Sequence, residues 1–243
     1  MTATFAALLV AHVLADFLFQ PRWMVARKRE PLTFLSHGVV VLILAQAATG
    51  QVAAPALLAL TFAHMAIDAA KLRFGRGIGG FLADQAAHLA TIAATALFFP
   101  ELWATGFWAS DLPAGAGFTA TDALRAAVAA AGFLLATRAG SFAVGLLMAG
   151  LSAGAPPEGL PRGGLTIGIL ERGLIYVLML AGQPEVIGFL IAAKSILRFG
   201  TVNAADPAGN RAASEYIIIG TLASFGWAIL VALGVQALAA ALP

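Results

Sequence analysis

The chain reads as an all-α, polytopic integral membrane protein with about eight transmembrane helices. Three observations carry that expectation. Hydrophobic residues make up 60% of the 243 positions and charged residues only 11%, whereas a soluble domain carries roughly 25% charged residues. The apolar runs approach the ~20 residues that a helix needs to cross the hydrocarbon core. They also lack the period-2 alternation of a barrel strand, and only helices or closed barrels satisfy their backbone in lipid. The mean hydropathy of +0.91 agrees.

In order, the expected spans are 3–20, 32–50, 53–73, 80–99, 121–149, 164–182, 184–200 and 213–240. The first ends at Gln20-Pro21 and lacks the basic n-region of a signal peptide. The basic segment PRWMVARKREP follows it, a candidate surface-lying amphipathic helix. Gly75-Arg76-Gly77 with Gly79-Gly80 reads as the turn between spans three and four. Residues 100–120 read as a polar-aromatic loop whose Trp103, Phe107 and Trp108 suit an interfacial belt. The fifth span is long for one crossing, so it tilts or begins outside at a Thr121-Asp122 cap. Residues 152–163 and 201–212 are Gly/Pro/Asn-rich connections. The whole chain, 1–243, reads as one membrane domain with a His/Asp-bearing half (1–100) and a second helical half (121–243).

Positive charges set the expected orientation. Arg22, Arg27, Lys28 and Arg29 follow span one, Lys71, Arg73 and Arg76 follow span three, Arg162 follows span five, and Arg198 and Arg211 flank the loop after span seven. These are alternate connections, so they share the cytoplasmic side and both termini lie outside. The net charge of +2 reflects these loop cations rather than a nucleic-acid surface. Cysteine is absent, which excludes disulfides, thiolate–metal sites and cysteine nucleophiles.

All four histidines lie in the first 88 residues. Three have an aspartate four positions away: His12/Asp16, His64/Asp68 and Asp84/His88; His37 stands alone in LSHGVV. The i,i+4 spacing puts both side chains of a pair on one helix face. By rise per residue, all seven groups fall roughly 6–12 Å inside the cytoplasmic boundary. Four antiparallel helices would then converge on one polar centre. Ionisable groups in hydrocarbon are costly, and by default they mark function. Imidazole plus carboxylate suits zinc, with manganese or iron as alternatives, and up to seven ligands allow one or two ions. Asp16, Asp68 and Asp84 are also candidates for the general base. A single pair taken alone reads equally well as a structural hydrogen bond.

The second half carries Arg138, Glu171, Arg172, Lys194, Arg198 and Glu215. Arginine and lysine could clamp a phosphate or carboxylate; the bland alternative is snorkelling at helix ends and a Glu171 pairing with Lys194 or Arg172. No HExxH, GxSxG or Walker A pattern occurs in its proper structural context. Gly132, Gly140 and Gly145 read as helix-packing contacts.

The ordered pattern AHVLADFLFQ, SHG, AHMAIDAAK and DQAAH, then ILER, AAKSILRF and SEYIIIGTLASFGW, resembles a bacterial inner-membrane family catalogued as domain of unknown function 3307. The resemblance implies a multi-pass protein of the bacterial inner membrane. It also implies that His12, Asp16, His37, His64, Asp68, Asp84 and His88, with Glu171, Lys194, Arg198 and Glu215, belong to the pattern. It supplies no reaction. Together these readings lead to an expectation: a metal-dependent intramembrane hydrolase working from the cytoplasmic side on an amphipathic, phosphate-containing or lipid-linked substrate. The rival is a divalent-cation or proton transporter using the same site. Beyond lipid and substrate the sequence indicates no nucleic-acid partner.

Overall fold

The computed structural model describes residues 1–75, 77–111, 119–151, 160, 162–199 and 207–243, with the side chains of Phe74, Ser110, Asp111, 196–199 and 207–213 excepted. The architecture is all-α. In chain order the helices are α1 (Thr2–Phe17), α2 (Arg22–Ala26), α3 (Pro31–Thr49), α4 (Pro55–Phe74), α5 (Gly77–Phe98), α6 (Phe107–Asp111), α7 (Ala120–Leu134), α8 (Gly140–Ala149), α9 (Gly163–Leu180), α10 (Glu185–Phe199) and α11 (Pro207–Ala240). A π-helical turn, Leu135–Ala139, joins α7 to α8.

Six helical stretches among the described residues have the length and apolarity to cross a membrane: Pro31–Thr49, Pro55–Arg73, Gly77–Phe98, Ala120–Ala149, Gly163–Leu180 and Ser214–Ala240. The first and seventh expected spans are shorter, at 16 and 15 residues. At ~1.5 Å per residue such helices reach only ~24 Å against a ~30 Å core. Pro31 and Pro55 open their helices at the first positions, where a missing N–H costs nothing. Gly50 closes α3 in the left-handed region. Gly79 and Gly80, read as turn residues, lie instead in the first turn of α5. A Cβ on Gly80 would sit 2.7 Å from the Gly75 backbone, so glycine is required for that close reversal. The N-cap of α7 is Thr119 rather than Thr121. Thr119 donates its N–H and hydroxyl to Asp122 Oδ2 and accepts the Asp122 N–H at 3.1 Å, a reciprocal box.

The chain divides into two compact units, Met1–Leu134 with Ala237–Pro243, and Leu135–Gln236. In the first, α1 packs against α3, α5 and α7, and α4 packs against α3 and α5. Ala6, Ala7, Ala11 and Ala15 on α1 are buried, and such small side chains let neighbouring backbones approach. One end of this bundle is filled by Leu8, Ala45, Leu57, Leu60 and Ile92. The segment expected as a loop after span four folds over that end. Thr4 Oγ1 donates to the Pro100 carbonyl at 2.7 Å and accepts the Trp103 N–H at 3.2 Å. Gln51 Nε2 donates to the Leu102 carbonyl at 2.8 Å, and Trp108 Nε1 to that of Ala47 at 2.6 Å. Trp103 is buried, so of the three aromatics expected in an interfacial belt only Phe107 and Trp108 are exposed.

In the second unit, α9 packs against the π-helical turn, α8 and α10. Ile175, Ile187, Phe225 and Ala228 form one apolar cluster, and Ala136, Tyr176 and Ala232 another.

Candidate metal centre

The chain direction alternates through the bundle, and this decides where each polar pair lands. His12 and Asp16 lie in the last turns of α1, His37 in the second turn of α3, His64 at the middle of α4 with Asp68 a turn nearer its end, and His88 at the middle of α5 with Asp84 a turn nearer its start. Antiparallel neighbours therefore bring all seven to the end of the bundle opposite the aliphatic fill. His12, His37, His64, Asp68, Asp84 and His88 are buried. The Asp16 side chain retains 8% exposure.

The tightest group is Asp16, His37 and His64. His37 Nε2 and His64 Nε2 stand 3.2 Å apart, and each lies 3.4 Å from Asp16 Oδ1. Ligands ~2.0–2.1 Å from a tetrahedral ion are separated by ~3.3–3.4 Å, so this triangle has the dimensions of one face of a metal site. Asp68 Oδ2 approaches the same two nitrogens at 3.4 and 3.6 Å. The ligand atoms of His12, Asp16 and His88, and those of His64, Asp68 and His88, also lie within 4.8 Å of one another. This buried His/Asp cluster could hold a metal ion.

The remaining two histidines have tautomers fixed by their neighbours. His88 Nδ1 lies 2.9 Å from the Asp84 carbonyl, which can only accept, so the proton sits on Nδ1 and Nε2 presents a lone pair. Gln85 donates to Asp84 Oδ2 at 3.0 Å, which turns its carbonyl oxygen toward His12 Nε2 at 3.4 Å. His12 then donates from Nε2 and keeps a lone pair on Nδ1. Among the described residues neither His12 Nδ1 nor His88 Nε2 has a hydrogen-bond partner, and Asp16 Oδ1 and Asp68 Oδ1 have none either. Buried polar atoms are normally satisfied, so a concentration of unpaired acceptors points to a cation or water among them. The rings of His12 and His88 stack at 4.8 Å, and those of His64 and His88 are 4.3 Å apart. A cavity of about 20 Å³ borders His12, His64 and His88, enough for one water molecule.

Sequence reasoning missed three members of this site. Lys28 is buried and reaches Asp68 Oδ2 at 2.7 Å. Lys71 reaches Asp84 Oδ2 at 2.6 Å. Gln85 is the third. Both lysines were read as loop charges facing the cytoplasm; the signal that could have found them is the need of three membrane carboxylates for cations. Among the described residues, no lysine or arginine lies within ion-pair distance of Asp16.

The second unit gathers another set. Glu171 and Lys194 pair at 2.7 Å, as one reading of the sequence had it. Arg172 is buried, whereas Arg138 and Glu215 are exposed. The Arg198 side chain lies outside the described residues. The π-helical turn explains part of the arrangement: its i→i+5 bonding frees backbone carbonyls. The Leu135 carbonyl accepts Trp227 Nε1 at 2.8 Å, and that of Thr137 accepts Arg172 Nη2 at 3.2 Å. Gly140 is a packing position, since a Cβ there would lie 2.7 Å from Trp227 and 2.9 Å from Arg172; nothing lies within 4 Å of a Cβ on Gly145.

No curated protein and no solved structure matches the chain. The pattern recognised in the second half, from ILER onward, lies beyond the matched region. Residues 4–110, which carry all seven ligand candidates, match the family described as "Protein of unknown function (DUF3307)".

Proposed function

We propose that the first unit is an intramembrane metal centre that holds one divalent transition-metal ion on Asp16 Oδ1, His37 Nε2 and His64 Nε2, and that it serves hydrolysis of an amphipathic substrate reached from the cytoplasmic side. The observation that carries this reading is the 3.2–3.4 Å triangle of those three atoms. Two histidines and one carboxylate form a ligand set used for catalytic zinc and for iron(II), with open positions left over. Zinc is the favoured ion.

Charge supports one ion rather than two. Lys28 and Lys71 neutralise Asp68 and Asp84, so the three carboxylates of the cluster leave a single uncompensated charge at Asp16. One dication with one hydroxide would cancel it, whereas a second dication would leave a large positive excess in hydrocarbon. The metal's contribution would be to lower the pKa of a bound water toward ~7. The chain's own residues would do the rest. The water-sized cavity beside His64 borders His12 and His88, each presenting an unprotonated nitrogen. His88, oriented by the Asp84 carbonyl, would accept the water's proton; this gives to an imidazole the base role that the spacing suggested for an aspartate. Asp68 and Asp84, each held by a lysine, would keep His64 and His88 in place.

The aliphatic fill of Leu8, Leu57, Leu60 and Ile92 closes the other end of the same bundle, which favours one-sided chemistry over flux through it. The test is elemental analysis of protein purified in neutral detergent without chelator. About one zinc, manganese or iron per chain is expected in the wild type and almost none in His64→Ala. Metal-free wild-type protein would sink the proposal, and a metal-loaded protein that cleaves no lipid-linked ester or phosphoester would remove the hydrolase part alone.

A further inference from the structure

The second unit holds a cavity of about 380 Å³ bordered by Ser141, Glu171, Arg172, Lys194, Tyr216 and Ser224, with Val144, Met148, Leu165 and Ile217 supplying apolar wall. This is the size of a site for a small organic ligand, and no part of the metal reading uses it. Glu171 and Lys194 cancel each other at 2.7 Å, and the Lys194 ammonium also sits 5.2 Å from the Phe225 ring centroid. Among the described residues Arg172 has no such partner. The residue is only 3% exposed, and among the described residues its acceptors are all uncharged: Ser224 Oγ at 2.9 Å, Ser141 Oγ at 2.6 Å and the Thr137 carbonyl at 3.2 Å. These use three of five guanidinium N–H groups, and among the described residues Nε has no acceptor. A guanidinium retained in an apolar helix bundle without an anion is costly. The chain also makes room for it. A Cβ on Gly168 would lie 2.9 Å from Arg172 Nη1 and one on Gly140 2.9 Å from Nε.

We infer that this cavity binds an amphiphile with a singly charged oxyanion head, a carboxylate or a phosphodiester, placed against Arg172, with its apolar part along Val144, Met148, Leu165 and Ile217. The guanidinium fork matches such a head, and the neutral Glu171–Lys194 pair leaves a net charge of one to be balanced. The inference rests on the second unit alone and stands or falls independently of the metal centre.

The test is calorimetric titration of the full chain in dodecyl maltoside micelles. Four probes are compared: dodecanoate, dihexanoylphosphatidylglycerol, dodecanol (tail without charge) and acetate (head without tail). Saturable binding of dodecanoate or of the phosphatidylglycerol is expected, and which one binds identifies the head. Dodecanol and acetate should bind at least tenfold more weakly. Arg172→Gln should weaken the anion at least tenfold and leave dodecanol unchanged, a charge dependence that a merely structural arginine would not show. Should Arg172→Gln fail to fold, Gly145→Leu fills the cavity from a wall position with open space before it and should abolish binding. Equal binding of dodecanol and the anions, no binding of either anion, or full binding in Gly145→Leu overturns the inference.

Discussion

Around His64 the polar groups face one another across about 20 Å³, whereas around Arg172 they border about 380 Å³. The sequence signal was alike in both places: ionisable residues, some at i,i+4, inside apolar helices. The physical outcomes differ because charge and volume are balanced differently. In the first unit two lysines neutralise two of the buried cluster's three aspartates, and the third carboxylate meets imidazole nitrogens at ligand spacing. In the second unit the acid and the lysine neutralise each other, and the remaining cation borders a space large enough for an organic molecule. A small space around an unpaired anion and lone pairs suits an ion. A large one around an unpaired cation suits an organic anion.

The comparison breaks most sharply at Asp16. Asp16→Asn keeps the shape of the side chain but removes the one cluster charge that no lysine balances. Losing a residue that merely orients a ligand costs roughly 10–100-fold in metal affinity, so losing a ligand that also carries the charge should cost at least ~100-fold. Zinc titration of Asp16→Asn, against Asp84→Asn as a variant outside the triad, measures this. Equal losses in the two variants would mean that the ion does not select the Asp16 face.

Lys28→Met sharpens the same comparison with the opposite sign. Removing the ammonium leaves Asp68 buried and unpaired, a loss of ~3–5 kcal/mol for breaking a buried pair. Zinc should then recover part of that loss, because Asp68 Oδ2 already stands 3.4 and 3.6 Å from His37 and His64. The expected result is a metal-free variant with a clearly lowered melting temperature in detergent and a larger zinc-induced rise than the wild type. A zinc-induced rise no larger than in the wild type would show that Asp68 cannot serve as a ligand and that Lys28 is purely structural.

The site was legible to the extent that it depends on helix periodicity and chain direction. His12/Asp16, His64/Asp68 and Asp84/His88 share faces by spacing, and alternating crossings place them with His37 at one end. What escaped depends on long side chains and on local backbone exceptions. Lys28 lies in the turn after a five-residue helix and folds inward to Asp68, a contact that charge counting in loops assigns to the surface. Lys71 sits in the last turn of α4 and crosses to Asp84 on the next helix. The π-helical turn was hidden because no local propensity encodes it. The hints were an overlong span and a Thr-Arg pair inside it, and its freed carbonyls are explained only by Arg172 and Trp227 arriving from other helices.

The smallest effects test whether Arg172 is held by packing as tightly as its burial implies. Gly140→Ala would push a methyl group to 2.7 Å from Trp227 and 2.9 Å from Arg172 Nε. Overpacking of this kind costs ~1–3 kcal/mol, and here it displaces the indole whose N–H satisfies the Leu135 carbonyl. Gly145→Ala, one and a half turns further along α8, meets nothing within 4 Å. There the helix gains the ~0.5–1 kcal/mol by which alanine exceeds glycine. Melting temperatures in detergent should therefore move in opposite directions, downward for the first and slightly upward for the second. If both rise, Arg172 has room to yield, and its guanidinium is free to shift toward a ligand rather than being fixed in advance. The comparison of the two units would then be between a rigid ion site and an adaptable anion site.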